Sequence, residues 1–310
     1  VPKDKTMEQL ATDEQWQNGE MAEHGNLKAL IEQRAITDIP MSKFSLVKAN
    51  LSGVNLVKKA SKTGFKMTES DLYRADFSHA HCFKLDLSGS SLMKADFSFA
   101  NLHCANLTNC NLLGVSFKGA KLENVIWGEQ IIQEKQAAET EDLALAKDYY
   151  EQAEEVYRNL RMITEKQGLF EQAGQFFQNE MAMRRMQMPL YSLRRLLSKF
   201  VDLFCGYGER PSRVVAFTLA VIGVFSLLFF YSGIQSGSQT IVFDSSLSVS
   251  DNFKHYLSSL YFSVVTYTTL GYGDISPTLG LSRFFAAVEA LIGGFTLALF
   301  VVVFVKKMTR

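Results

Sequence analysis

From Phe65 to Asn124 a large apolar residue stands at every fifth position: Met67, Leu72, Phe77, Cys82, Leu87, Leu92, Phe97, Leu102, Leu107, Leu112, Phe117 and Leu122. Small residues such as Ala75, Ala80, Ala95, Ala100, Ala105 and Ala120 lie two positions ahead, usually followed by Asp or Asn. A shorter run centred on Met41, Leu46, Leu51 and Leu56 keeps the same step, then breaks for six residues, Lys59 to Gly64. A five-residue period belongs neither to an amphipathic helix (3.6) nor to a half-buried strand (2.0). It predicts a solenoid.

A different pattern fills the C-terminal third. Val214–Ile234 holds 21 residues without a charge, and Phe284–Val305 holds 22 interrupted only by Glu289. At about 1.5 Å per helical residue each covers roughly 30 Å, the thickness of a bilayer's hydrocarbon core. Two membrane spans are therefore expected. Between them Asn252–Thr268 is semi-apolar and about half a span long, and Thr269-Leu270-Gly271-Tyr272-Gly273-Asp274 follows at once. Non-helical backbone at membrane depth is tolerated only where it is buried in protein or lines water.

Between solenoid and spans, Glu129–Met188 is rich in Ala, Glu, Gln and Met without proline, which predicts helices divided at Gly168. Pro189 ends them. Leu193, Leu196, Leu197, Phe200 and Phe204 then alternate with Arg194, Arg195 and Lys199, the pattern of an amphipathic helix lying on a membrane surface.

Charge sharpens this division. The 310 residues carry 32 basic and 32 acidic side chains, a net charge of zero. Residues 214–305 hold six charges, so the neutral average sums unlike parts. Arg184, Arg185, Arg194, Arg195, Lys199, Arg210 and Arg213 precede the first span; Lys306, Lys307 and Arg310 follow the second. The positive-inside bias makes both termini cytoplasmic and the protein a multi-pass inner-membrane one. Residues 39–127 carry 11 basic and 6 acidic side chains, the wrong sign for imitating DNA, and the zero net charge argues against a general nucleic-acid binder. Cys82, Cys104, Cys110 and Cys205 show no CxxC pair and are expected as reduced thiols. No catalytic constellation and no cofactor motif is apparent, so no enzyme is expected.

Span, short helix, TTLGYGD and span, in that order over about 213–310, resemble the pore module of two-transmembrane potassium channels. The resemblance implies an all-α module assembled as a homotetramer in the bilayer, with K+ as permeant ion and a filter at Thr269, Leu270, Gly271, Tyr272 and Gly273 supported by Thr268 and Asp274. In the family this filter usually carries Val where Leu270 stands. Some relatives brace the filter Asp with a pore-helix Trp and an acidic residue; the resemblance sets Phe262 and Val265 there, so Asp274 is expected to lack those partners. It further implies a hinge at Gly293-Gly294 and an apolar gate at Leu297, Val301 and Val305 on one helical face, which can close by dewetting. Close packing against a neighbour is the other account of the two glycines. Glu289 is expected to hydrogen-bond the pore helix. No regular arginine ladder precedes the pore, which argues against voltage sensing.

The pentad spacing over 39–127 resembles the pentapeptide-repeat family, whose right-handed quadrilateral β-helix turns once in four pentads. A 20-residue period is then implied, and Phe77, Phe97 and Phe117 are expected to stack as one inward column. His79, His81, His103 and Cys104 do not share a column in that frame, which argues against a metal site. Tyr157, Leu160, Gly168, Ala173 and Phe177 resemble the spacing of a tetratricopeptide hairpin, though Arg161 stands where a small residue is usual.

The expected organisation is an N-terminal helical cap (1–38), a β-helix (39–127) that Trp127 caps, a helical connector (128–188), an interfacial helix (189–212) and a pore module (213–310) with spans at 214–234 and 284–305, a pore helix at 253–268 and the filter at 269–273. The expected function is passive potassium conduction, regulated by an unidentified cytoplasmic ligand or protein at the solenoid because five residues follow the second span. The competing functions are a nonselective monovalent cation channel and a membrane-anchored scaffold.

Overall fold

A computed structural model describes residues 13–58 and 64–308. Residues 1–12 of the expected cap, most of the Lys59–Gly64 break, and Arg310 lie outside them. The chain divides into two compact units, one ending at Arg195 and one beginning at Leu196.

In the first unit, α1 (Asp13–Gln17) and α2 (Leu27–Thr37) precede the solenoid. Trp16 stacks on Phe44 at 5.6 Å, and the Arg34 guanidinium lies over both rings while bonding Asp13 at 2.9 Å. Apolar rings so cover the open end of the first coil. The solenoid begins with a parallel pair, β1 (Met41–Ser42) and β2 (Met67–Thr68), and continues as single bridges such as Asp76↔Asp96↔Ser116 and Asn101↔Lys121. These later partners are 20 residues apart, whereas Ser45↔Asp71 and Asn50↔Asp76 are 26 apart. The six-residue break accounts for the difference.

Each corner explains a sequence preference. Asp76, Asp96 and Asn106 each accept a bond from the backbone N–H two residues on, in Ser78, Ser98 and Thr108. A short polar side chain that turns its own backbone is what these corners need. Inside, Phe77 stacks on Phe97 at 4.8 Å and Phe97 on Phe117 at 5.8 Å, forming the expected inward column. His79 and His103 stack instead on the outer rings Phe99 and Phe83, and no metal-ligating cluster occurs among the described residues.

Cys82 and Cys110 point into this core, and burial pushes both thiols up to about 12. Only the thiolate reacts, so maleimide is expected to label half-buried Cys104 in the native protein and to reach Cys82 and Cys110 only after denaturation, as peptide mass mapping will record. The raised values also set a pH window. The unfolded thiols lose protons from about pH 9 while the folded ones hold theirs toward 12, so this contribution to stability is intact below pH 9 and is lost as pH rises.

Three helices close the other end: α3 (Ile132–Glu139), α4 (Leu143–Lys166) and α5 (Phe170–Met186). Trp127 meets Phe117 edge-on at 5.9 Å and Phe176 at 5.6 Å, joining the aromatic column to the helices. Asp142 caps α4 through the Ala144 and Leu145 N–H groups, and Gly168 at φ +74° turns the chain into α5. Arg161, unexpected for its size, bonds Glu180 at 2.7 Å and lies over the Phe177 ring. An ion pair in the hairpin seam takes the place of a small residue.

The second unit takes in most of α6 (Leu193–Cys205), whose Leu196, Leu197, Phe200 and Leu203 are exposed. Phe204 and Cys205 pack with Val214, Phe217, Phe300 and Val303. Beyond a short 3-10 turn, α7 (Pro211–Ser232) begins on a proline, whose missing N–H is harmless in the first turn, and stops at Gly233, φ +87°. The strands β3 (Ile234–Ser236), β4 (Gln239–Ile241) and β5 (Ile275–Pro277) form a small antiparallel sheet, ordered β4-β3-β5, between the helices. Two long helices remain: α8 (Val249–Tyr267) and α9 (Leu281–Met308). Ser248 caps α8 through the Asp251 N–H, starting it four residues before the expected 253. Both α7 and α9 are long and apolar enough to cross a membrane.

Candidate functional site

The loop after α8 is positioned from three sides. Tyr267, fully buried at the end of α8, bonds Thr218 of α7 at 3.0 Å. One turn earlier Ser263 lies 3.0 Å from the Ile222 carbonyl of α7 and 2.5 Å from Glu289 of α9. Glu289 is 0% exposed, so the one carboxyl inside a span ties the short helix to the long one behind it, as expected. The third contact is backbone to backbone: a Cβ added at Gly293 would lie 1.9 Å from the Tyr267 carbonyl oxygen. Nothing lies within 4 Å of the same atom at Gly294. The two adjacent glycines thus differ, the first needed for close approach and the second free, within one uninterrupted helix.

From that anchor the chain leaves α8 through Thr268, whose hydroxyl bonds the Val264 carbonyl at 2.7 Å. A helix C-terminus carries partial negative charge, so α8 favours a cation just beyond its last turn. Thr269, Gly271 and Gly273 then take φ of +57°, +57° and +82°, with Leu270 and Tyr272 between them outside the left-handed region. Such alternation turns successive peptide planes so that their carbonyls can share one side. Glycine adopts positive φ without penalty; Thr269, β-branched, does not. Its hydroxyl bonds the Thr268 carbonyl at 2.7 Å. Leu270 and Tyr272 are 59% and 68% exposed in the single subunit.

The Tyr261 hydroxyl donates to Asp274 Oδ2 at 2.9 Å, so the carboxylate is bonded from α8 by a residue other than the two family positions. The bond comes from the residue before Phe262, which is buried edge-on against Phe229 at 4.8 Å, while Val265 is buried too. One residue along a helix is a rotation of about 100°, enough to exchange a core position for one facing Asp274. A lone hydrogen bond contributes about 0.5–1.5 kcal/mol. Tyr261→Phe is therefore expected to speed the decay of macroscopic current up to about tenfold at unchanged unitary conductance, measured under sustained activation.

On α9, Leu297, Val301 and Val305 are 40–59% exposed, whereas Val303 is buried. At the same end Lys306 bonds Glu209 at 2.5 Å and Arg213 bonds Asp202 at 2.9 Å.

Comparison with known proteins places a family described as "Ion channel" on residues 219–310, and pentapeptide repeats on 70–103 and 90–126. The chain therefore joins N-terminal pentapeptide repeats to a C-terminal segment that matches an ion-channel family, and with two candidate spans it is a membrane protein. No curated protein matches it. Among solved structures it is similar to a pentapeptide-repeat protein of the cyanobacterium Cyanothece 51142, at 27% identity over 28% of this chain and 59% of that one, with a TM-score of 0.17. A pentapeptide-repeat protein of Nostoc Pcc 7120 is 26% identical over 38% of this chain and 90% of its own, with a TM-score of 0.24. One from the Arabidopsis thaliana thylakoid lumen is 24% identical over 32% and 72%, with a TM-score of 0.15.

Proposed function

We propose that this chain, an ion-channel subunit carrying pentapeptide repeats, forms a homotetrameric potassium-selective pore with both termini cytoplasmic. The observation that carries the reading is the alternation of positive φ at Thr269, Gly271 and Gly273 immediately beyond the C-terminus of α8. Carbonyls that such an alternation brings to one side can replace the water around a dehydrated cation. One loop supplies a quarter of each ring, and the exposed side chains of Leu270 and Tyr272 are apolar surface for neighbouring subunits to cover. Leu297, Val301 and Val305 then line the inner mouth, with α6 on the inner leaflet. The basic segments flanking α7 and α9 support the orientation.

In this assignment the N-terminal unit regulates the pore. Potassium-driven flux into proteoliposomes tests conduction: barium-sensitive uptake is expected from the purified protein, and barium-insensitive or absent uptake contradicts it. Deletion of residues 1–128 is expected to change open probability; an unchanged value under every stimulus removes the regulatory role.

A further inference from the structure

Each solenoid coil passes N–H groups to the carbonyls of the next: Lys94 to Leu113, Phe97 to Ser116 and Phe99 to Lys118, at 2.8–2.9 Å. Twenty residues on, the equivalent groups of the last coil belong to Gly114, Phe117 and Gly119. No further coil answers these three, and none has a hydrogen-bond partner among the described residues. The helices do answer their neighbours. Gln167, just past α4, accepts from the Leu122 N–H at 3.2 Å, and Asn159 donates to the Val115 carbonyl at 2.9 Å. Side chains there stand in for a missing coil.

The three unanswered donors belong to residues lining a cavity of about 500 Å³, walled on the other side by Ile163 and Lys166 of α4, with Lys118 beside Gly119. No acidic residue lines it, and neither lysine is in an ion pair among the described residues. The volume lies in the usual range for small-molecule sites, about 300–1,000 Å³. Convergent N–H donors with two ammonium groups suit a multiply charged oxyanion, for which each contact is charge-assisted. Ile163 adds an apolar wall that a bare inorganic ion would leave unused.

We propose that this cavity binds a small organic phosphate, whose phosphoryl oxygens replace the carbonyls of the absent coil while Lys118 and Lys166 balance its charge. This names the ligand class for the regulation proposed above and rests on that reading only for its effect on the pore. Binding is read without current, so the two can fail separately.

The test is calorimetric titration of the full-length protein in detergent micelles at constant ionic strength, with adenosine 5′-monophosphate as probe and inorganic phosphate and citrate in parallel arms. The nucleotide is expected to bind more tightly than either. Lys118→Ala/Lys166→Ala is expected to weaken it at least about tenfold at unchanged melting temperature, whereas Lys43→Ala/Lys48→Ala, at the far end of the solenoid, leaves it unchanged. No heat up to about 10 mM nucleotide, equal binding of citrate or inorganic phosphate, or unchanged affinity in the first double variant overturns the proposal.

Discussion

Gly293→Ala is expected to abolish current, and Gly294→Ala to leave it close to that of the unmodified protein. The new methyl at 293 would sit 1.9 Å from the Tyr267 carbonyl oxygen, and backbone on both sides cannot swing aside as a flexible side chain would. Either α9 moves off α8 or Tyr267 moves, and Tyr267 is the last residue of α8, from which the 269–273 segment departs. Forcing extra atoms into a packed interior costs about 1–3 kcal/mol at each site, and the proposed tetramer would repeat the cost four times. At 294 the same methyl meets nothing within 4 Å. If 294 is a hinge and not a packing site, its substitution shifts open probability while conductance persists. Surface expression together with single-channel recording separates loss of the pore from loss of gating.

Gly271→Ala is the second large effect: conduction is expected to fall by more than about a hundredfold while the protein still assembles and reaches the membrane. Gly271 has φ +57° and open space around its Cβ position in the subunit, so the obstacle is conformational and not steric crowding. An L-residue held there costs about 1–2 kcal/mol, and it recovers that by rotating the peptide, which in the proposed pore turns a carbonyl away from the ion path. The contrast with Thr269 is instructive. Thr269 holds the same φ with a β-branched side chain, but its hydroxyl is bonded at 2.7 Å and it lies one residue past the helix cap, where Val265 and Thr266 carbonyls still accept from the chain. Gly271 has no such restraint. Retained assembly is checked by size-exclusion chromatography, loss of conduction by flux.

Much of this architecture is legible in the sequence, for identifiable physical reasons. The Phe77, Phe97 and Phe117 column was legible because a solenoid repeats its geometry, so one period locates every inward residue. The spans were legible because hydrocarbon demands long uncharged runs. Three features escaped. The β4-β3-β5 sheet has strands of three residues, too short to show alternation, and the Ser236-Gly237-Ser238 turn was its one sequence signal. The Tyr261 bond to Asp274 lies one residue before the family position at Phe262, and helix rotation decides which of two neighbouring aromatics faces that carboxylate. Arg161 looked out of place in its hairpin until Glu180, 3% exposed in side chain and 19 residues away, appeared opposite it. Such tertiary partners leave no local trace.

The proposed selectivity for potassium is read from the bi-ionic reversal potential. With equal potassium and sodium on opposite sides of a planar bilayer containing the purified protein, a hundredfold preference displaces the reversal by roughly 120 mV toward the potassium equilibrium potential. A displacement of that order is the predicted result; a reversal at zero, meaning equal permeability, would contradict the account.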